Sequence, residues 1–319
     1  MKTAAEINSI EKKAIKKNSS SFSKYFRRNY DYYLLLLPGA LLLILFRFVP
    51  LYGIITAFKD FSIFKGLDAS PWVGFKWFKV LFSSPDFLQI LKNSISISVL
   101  ELVFVFPAPI ILAILLNELQ HDRFKKVVQT VSYLPHFLSW VIVGGFIIQF
   151  LQPYTGPVRH IFNLLGLQPK MLLLDKNWFY PILFIGEIWK GVGWGTILYL
   201  AALAGIDVEQ YEAAHVDGAT RWQRIWHVTL PGLAFVIVLQ FVLASGRILE
   251  VGFEKIWVLS NDNIREVADV FSTYNFRVGI GQQRYSISTA ISLFESVIGF
   301  IFVTSTNWLS KKLGQEAPF

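Results

Sequence analysis

The 319-residue sequence contains no cysteine, only 2 Met and only 16% charged residues. Without thiols there are no disulfides, no thiolate metal sites and no cysteine nucleophile. Soluble domains carry roughly 25% charged residues, so the shortage of charge argues against a water-soluble enzyme. Motifs of hydrolytic and metal chemistry are missing too. No His-Glu-x-x-His occurs, no Gly-x-Ser-x-Gly elbow, and no Gly-rich phosphate loop ending in Lys-Ser/Thr. The nearest approach to the last, Gly186-Glu187-Ile188-Trp189-Lys190-Gly191, runs on into Val192 inside an apolar stretch, where it cannot cradle phosphates. His121, His160, His215 and His227 are scattered through polar segments, which favours solvated or hydrogen-bonded roles over metal ligation. Asp207-x-Glu209 has the look of a metal-binding carboxylate pair, but a helix cap followed by a helix-face charge explains it more cheaply. Asp262, in Ser260-Asn261-Asp262-Asn263, lacks the remaining ligand spacing of a calcium loop. Neither a catalytic residue nor a metal site is expected on this chain.

What the chain has in abundance is apolar length. Hydrophobic residues make up 54%, including 29 Phe, 12 Tyr and 10 Trp, and mean hydropathy is +0.47. In a bilayer this length accommodates about six spans of roughly 20 residues. The apolar runs fall at 33–57, 94–116, 134–151, 179–202, 233–253 and 287–308. They lack the two-residue alternation of barrel strands. An unpaired backbone group in hydrocarbon costs several kcal/mol, so the runs must be helices. The expected fold is an all-α membrane protein of about six transmembrane helices. Within the arm 1–32, residues 1–28 carry Lys2, Lys12, Lys13, Lys16, Lys17, Lys24, Arg27 and Arg28 against only Glu6 and Glu11. Basic arms beside a first span are topology signals, so the net charge of +8 is assigned to membrane orientation and not to nucleic acid. No small-x-small cleavage site follows the first run, so it reads as a retained span and not a signal peptide. The arm and the tail 313–319 are placed in the cytoplasm, N-in and C-in, around a membrane domain 33–312. Lys59, Lys65, Lys76, Lys79 and Lys92 fall on the outer side, against the rule. Trp72, Trp77 and Phe78 in that segment suggest a helix at headgroup level.

The connector 205–232 is too long for a plain hairpin and reads as helix, turn, helix. Asp207 is a plausible N-cap, Val208 to Val216 is rich in helix formers, Gly218 breaks the helix, and Thr220 caps a second one ending before Pro231. Such a shape suits a knob protruding from the bundle. The pattern Glu212-Ala213-Ala214, then Asp217-Gly218, then Ile225 and Leu230-Pro231 resembles the EAA loop of the permease subunits of bacterial ATP-binding-cassette importers. Trp222-Gln223-Arg224-Ile225-Trp226 is similar to the carbohydrate-uptake branch, of the multiple-sugar or aldouronate type. Asn93-Ser94, Leu134-Pro135-His136-Phe137, Gly252-Phe253-Glu254-Lys255 and Asn307-Trp308 extend the resemblance over 33–312, with His136 standing where a tyrosine or phenylalanine is usual. The resemblance implies the type I importer permease fold in the bacterial cell membrane. It also implies a second homologous permease, two ATPase subunits carrying ATP and Mg2+, an extracytoplasmic solute-binding protein and an oligosaccharide substrate, with no cofactor on this chain. It places ATPase coupling on Glu212, Ala213, Ala214, Asp217, Gly218, Ile225, Leu230 and Pro231.

Ionisable groups within spans are costly and usually face a bundle interior, so each is a functional candidate. Arg47 either snorkels or takes part in transport, and Glu101, beside Pro107 and Pro109, marks a kink that could line the pathway. Around Gly191, Gly193 and Gly195 two readings stay open. One is helix packing through small residues, with Glu187 and Lys190 paired one turn apart. The other is a sugar-stacking surface of Trp189 and Trp194 with Glu187 for hydroxyls. Arg247 and Glu250 form either an ion pair or part of the pathway, while Trp140 reads as a packing residue. An ion-coupled secondary transporter is the competing function, but no inverted repeat is evident and the loop 205–232 would be unexplained. A membrane-embedded enzyme lacks its paired-carboxylate motif.

Overall fold

The computed structural model describes residues 24–312, so most of the basic arm and the tail 313–319 lie outside the described residues. The chain divides after Ile55 into two compact units. The first holds α1 (Tyr30–Leu43), whose side chains include no buried residue. Leu35 is 78% exposed and Phe46, just beyond the helix, 75%. Water would not tolerate such a surface, whereas hydrocarbon leaves it without penalty. Arg47 is exposed on a π turn at Ile44–Phe48.

In the second unit, residues 56–82 form an ordered outer segment. Lys59 and Trp72 make an isolated antiparallel bridge, and the Lys59 carbonyl accepts from Trp77 Nε1 (3.0 Å) and Ser286 Oγ (2.7 Å). Helix α2 (Lys76–Phe82) follows. A helix is thus present where one was expected, with Trp77 packed against the core and Trp72 exposed. The second span is α3 (Phe87–Leu100), a π turn at Glu101–Val105 and α4 (Pro107–Asn117). Next, α5 (Asp122–Tyr133) and α6 (Trp140–Phe150) meet at 102°. The interval between the second and third apolar runs is thus helical, and α5 and α6 form a bent pair. Helix α7 (Lys176–Leu203) leads at 76° into α8 (Val208–Val216). Then come α9 (Arg221–Arg224), a π turn at Ile225–Thr229 and α10 (Leu230–Ser245), together one helix. This corrects the expected fifth span in two ways: it starts within the connector 205–232, and it stops at Ser245, not Phe253. Past that break lie α11 (Phe253–Leu259), α12 (Phe271–Phe276) and the last span α13 (Tyr285–Lys312). Among the described residues, four helices are long and apolar enough to cross a membrane, and six if each bent pair counts as one span.

Three of the π turns have one cause. Ile44–Phe48, Glu101–Val105 and Ile225–Thr229 end two residues before Pro50, Pro107 and Pro231. Proline lacks an N–H and its ring crowds the carbonyl four residues back, so the preceding turn widens. The residue before each proline then donates five residues back: Val49 to Ile44, Phe106 to Glu101 and Leu230 to Ile225. Packing is close where α7 crosses α5. A Cβ on Gly193 would lie 2.1 Å from the Ser132 carbonyl oxygen, so glycine is what allows the crossing. At the outer end, buried Asn93 donates to the carbonyls of Glu266 and Asp269, both at 2.9 Å, and Ser94 Oγ accepts from Phe271 N at 3.2 Å. There Lys176 hydrogen-bonds Glu266 and holds its carboxyl below the usual range. Asp269 in turn binds the Arg277 guanidinium and raises its pKa.

Candidate functional site

The connector builds its knob from local bonds. Asp207 Oδ1 accepts from Glu209 N at 3.0 Å and starts α8. The helix closes with Gly218 N donating to His215 O (3.1 Å) and Ala219 N to Ala214 O (2.9 Å). That pair is a Schellman closure, which requires a left-handed residue between helix and exit. Gly218 supplies it at φ +78°. Thr220 then makes a capping box with Gln223: Thr220 N donates to Gln223 Oε1 at 2.8 Å, and Gln223 N to Thr220 Oγ1 at 3.4 Å. Of the eight residues expected at the coupling surface, Glu212, Ala213, Asp217, Gly218 and Pro231 are exposed, while Ala214, Ile225 and Leu230 are half-buried. Val208 and Val216 on α8 are 65% and 85% exposed, and Trp222 on α9 is 73%. Sequence reasoning passed over the two valines, which lie on the same short helix as Glu212.

The other site is a cavity of about 590 Å³ lined by the second span, α7, the end of α10 and the start of α11. Lys255 lies at its wall, 6% exposed. Its ammonium donates to Glu101 Oε1 at 2.6 Å and to Glu187 Oε1 at 2.8 Å. Glu187 Oε2 is buried without a hydrogen-bond partner. Arg247, Glu250, Gln240 and Ser98 complete the polar lining.

This arrangement shows where the polar and aromatic residues of the spans lie. Glu187 is not paired with Lys190, because Lys255 reaches it from α11 while Lys190 Nζ donates to the His136 carbonyl at 2.8 Å. Arg247 and Glu250 line the cavity with no ion pair between them among the described residues. Trp189 and Trp194 lie outside the cavity lining. Trp194 stacks on His136 at 4.4 Å with the rings 1° from parallel. The two readings of α7 divide along its surface: Gly193 packs, whereas Gly191 opens onto the cavity with nothing within 4 Å of a Cβ. Trp140 lies against Gly186, consistent with a packing role. In the sequence, Lys255 carries a family resemblance and nothing more. Its place in a charged pair of bonds had no local signal, since its partners lie 154 and 68 positions away.

Residues 105–315 match the family described as binding-protein-dependent transport system inner membrane component. The chain belongs to this family. The matched range contains the whole connector 205–232 and all the charged residues of the cavity lining except Glu101. Among curated relatives, Protein LplB of Bacillus subtilis (strain 168) is 44% identical over 94% of both chains. The polygalacturonan/rhamnogalacturonan transport system permease protein YteP of the same strain is 43% identical over 90% of this chain and 89% of its own. A chain of a bacterial alginate ABC transporter, crystallised in complex with an alginate pentasaccharide-bound periplasmic protein, superposes with a TM-score of 0.84. It is 39% identical and is matched over 92% of this chain and 98% of its own. The fold is therefore that of a type I importer permease, and the chain is a multi-pass inner-membrane transport subunit and not itself an enzyme.

Proposed function

We propose that this permease subunit forms half of the translocation pathway of an ATP-driven, binding-protein-dependent importer of oligosaccharides. The observation that carries the coupling is the knob at α8, a helix closed at both ends by its own residues that presents Glu212, Ala213, Asp217 and Gly218 to solvent. Small side chains there let a partner's backbone approach closely, and Glu212 offers a charge to a basic partner residue. ATP and Mg2+ bind on two partner ATPase subunits. Closure of the ATPase dimer moves α8, and α7 and the helix Arg221–Ser245, which flank it in the chain, carry that movement into the spans. A second permease completes the pathway, and a solute-binding protein delivers the sugar to the outer face. Carbohydrate as the cargo is supported by relatives named for polygalacturonan, rhamnogalacturonan and alginate transport. Within the chain, the cavity offers Glu101, Glu187, Gln240 and Ser98 to sugar hydroxyls.

The test is a detergent pull-down of the chain from its native membrane, beside the same pull-down with Gly218→Asp. A P-loop ATPase and a second permease should co-elute with the wild type, and the ATPase alone should be lost from the variant. Solute uptake under an ion gradient by a chain that brings down no ATPase would overturn the proposal in favour of a secondary transporter.

A further inference from the structure

Five ionisable side chains of opposite sign line the cavity: Lys255 and Arg247 with Glu101, Glu187 and Glu250. Three of them are closed on one another. The Lys255 side chain is 7% exposed and donates to both Glu101 and Glu187, so its charge is committed within the protein. Arg247 and Glu250 remain, and both are exposed. They sit in the turn that follows α10, where Glu250 N donates to the Arg247 carbonyl at 2.9 Å. Ile248 and Leu249, between them, are buried in the core. The turn is also pinned from behind, since a Cβ on Gly299 of α13 would lie 2.3 Å from the Gly246 carbonyl oxygen. Arg247 therefore stands on a fixed base, and its guanidinium makes no ion pair or hydrogen bond among the described residues.

A guanidinium keeps its proton in proteins, so it cannot escape an unpaired state by discharging, as a lysine can. A cation without a counter-charge is costly at membrane depth. Its five N–H donors form a planar fork that fits a carboxylate through two parallel bonds. Resting on the importer reading, we infer that Arg247 binds the carboxylate of an acidic saccharide in transit, and that the cargo of this permease is a uronate-bearing oligosaccharide. One free cation matches the single charge of a uronate. A doubly charged phosphate would bring a second negative charge beside Glu250, Glu101 and Glu187 with no cation left to balance it. A neutral saccharide would leave the guanidinium without its counter-charge. The hydroxyl groups of the sugar still find partners on the same wall, in Glu250, Gln240 and Ser98.

The experiment uses the complete transporter, with its second permease, ATPases and binding protein, reconstituted in liposomes. The probes are trigalacturonate and trimannuronate, each beside the neutral trisaccharide made by reducing its carboxyl groups. The readout is the acidic-to-neutral ratio of kcat/KM for ATP-driven uptake. The binding protein is the same throughout, so a change in that ratio reports the permease. Arg247→Gln should lower the ratio about tenfold, the size of one hydrogen bond to a charged group. Arg247→Lys keeps the charge without the fork and should lower it about threefold. Glu250→Gln removes a carboxylate from the same turn and should raise the ratio. Arg265→Gln removes an exposed cation outside the cavity lining and should leave the ratio unchanged. A ratio that stays put in Arg247→Gln, or falls as far in Arg265→Gln, would overturn the inference. So would equal losses for both kinds of probe in Arg247→Gln and Glu250→Gln, the sign of a structural pair. If Arg247→Gln does not assemble, Arg247→Lys decides alone: an unchanged ratio, or a second failure to assemble, makes the residue a brace and sinks the inference. A wild type that moves only the neutral probes overturns the inference and leaves the importer standing. One that moves neither kind with ATP removes the importer reading itself, a failure that shows before any variant is made.

Discussion

The connector and the cavity are built over different distances along the chain. In the connector the bonds that shape the knob span two to five residues: Glu209 to Asp207, Gly218 to His215, Ala219 to Ala214, Gln223 to Thr220. At the cavity wall, Lys255 binds partners 154 and 68 positions away. The difference is energetic as well as topological. Knob bonds form at an exposed surface, where a cap is worth about 1 kcal/mol. The wall charges are withdrawn from water, so each depends on the others for compensation. A region specified locally can flex or dock without disturbing the bundle, and one specified at long range cannot change without disturbing three elements together.

That contrast can be broken or sharpened by substitution. Lys255→Met should have the largest effect, roughly 3 kcal/mol, because removing one partner of a buried ion pair leaves uncompensated charge. Thermal unfolding in detergent reads it as a lower Tm. Gly193→Ala should follow at about 2 kcal/mol, since the new methyl meets the Ser132 backbone oxygen and α5 must move to admit it. Denaturation of the same detergent sample measures this, and an unchanged Tm would mean the crossing has slack. Gly218→Ala should cost about 1 kcal/mol through its positive φ alone, as nothing lies within 4 Å of the added Cβ. Its Tm should barely move while ATPase co-elution weakens. A Tm loss equal to that of Lys255→Met would erase the distinction between the two regions. Thr220→Ala should cost under about 1 kcal/mol, read as faster amide exchange at Arg221 to Arg224 with the spans unaffected.

Legibility in the sequence follows the same division. Asp207, Gly218 and Thr220 could be assigned their roles because each acts on a neighbour already visible in the text. Spans were visible as apolar length, yet their ends were not. The helix from Arg221 to Ser245 begins inside the connector because Pro231 is accommodated by a π turn, so the proline that seemed to mark a boundary marks only a widened turn. Glu187 illustrates the limit. One turn from Lys190, it invited a local pair, but Lys190 is claimed by the His136 carbonyl and Glu187 by a lysine beyond the next span. Trp194 offered a flat face for a sugar; it stacks on His136 and stays 47% exposed, a contact that spacing along the chain did not announce.

By itself the sequence determined an all-helical membrane bundle of about six spans and a capped knob between the fourth and fifth, because hydrocarbon forbids unpaired backbone and caps act within a turn. Only the tertiary structure decided which in-span charges meet and which aromatic rings stack on one another. An intramembrane charge takes whichever opposite charge the packing brings closest, and close packing of α7 against its neighbours is set by contacts far apart in the chain.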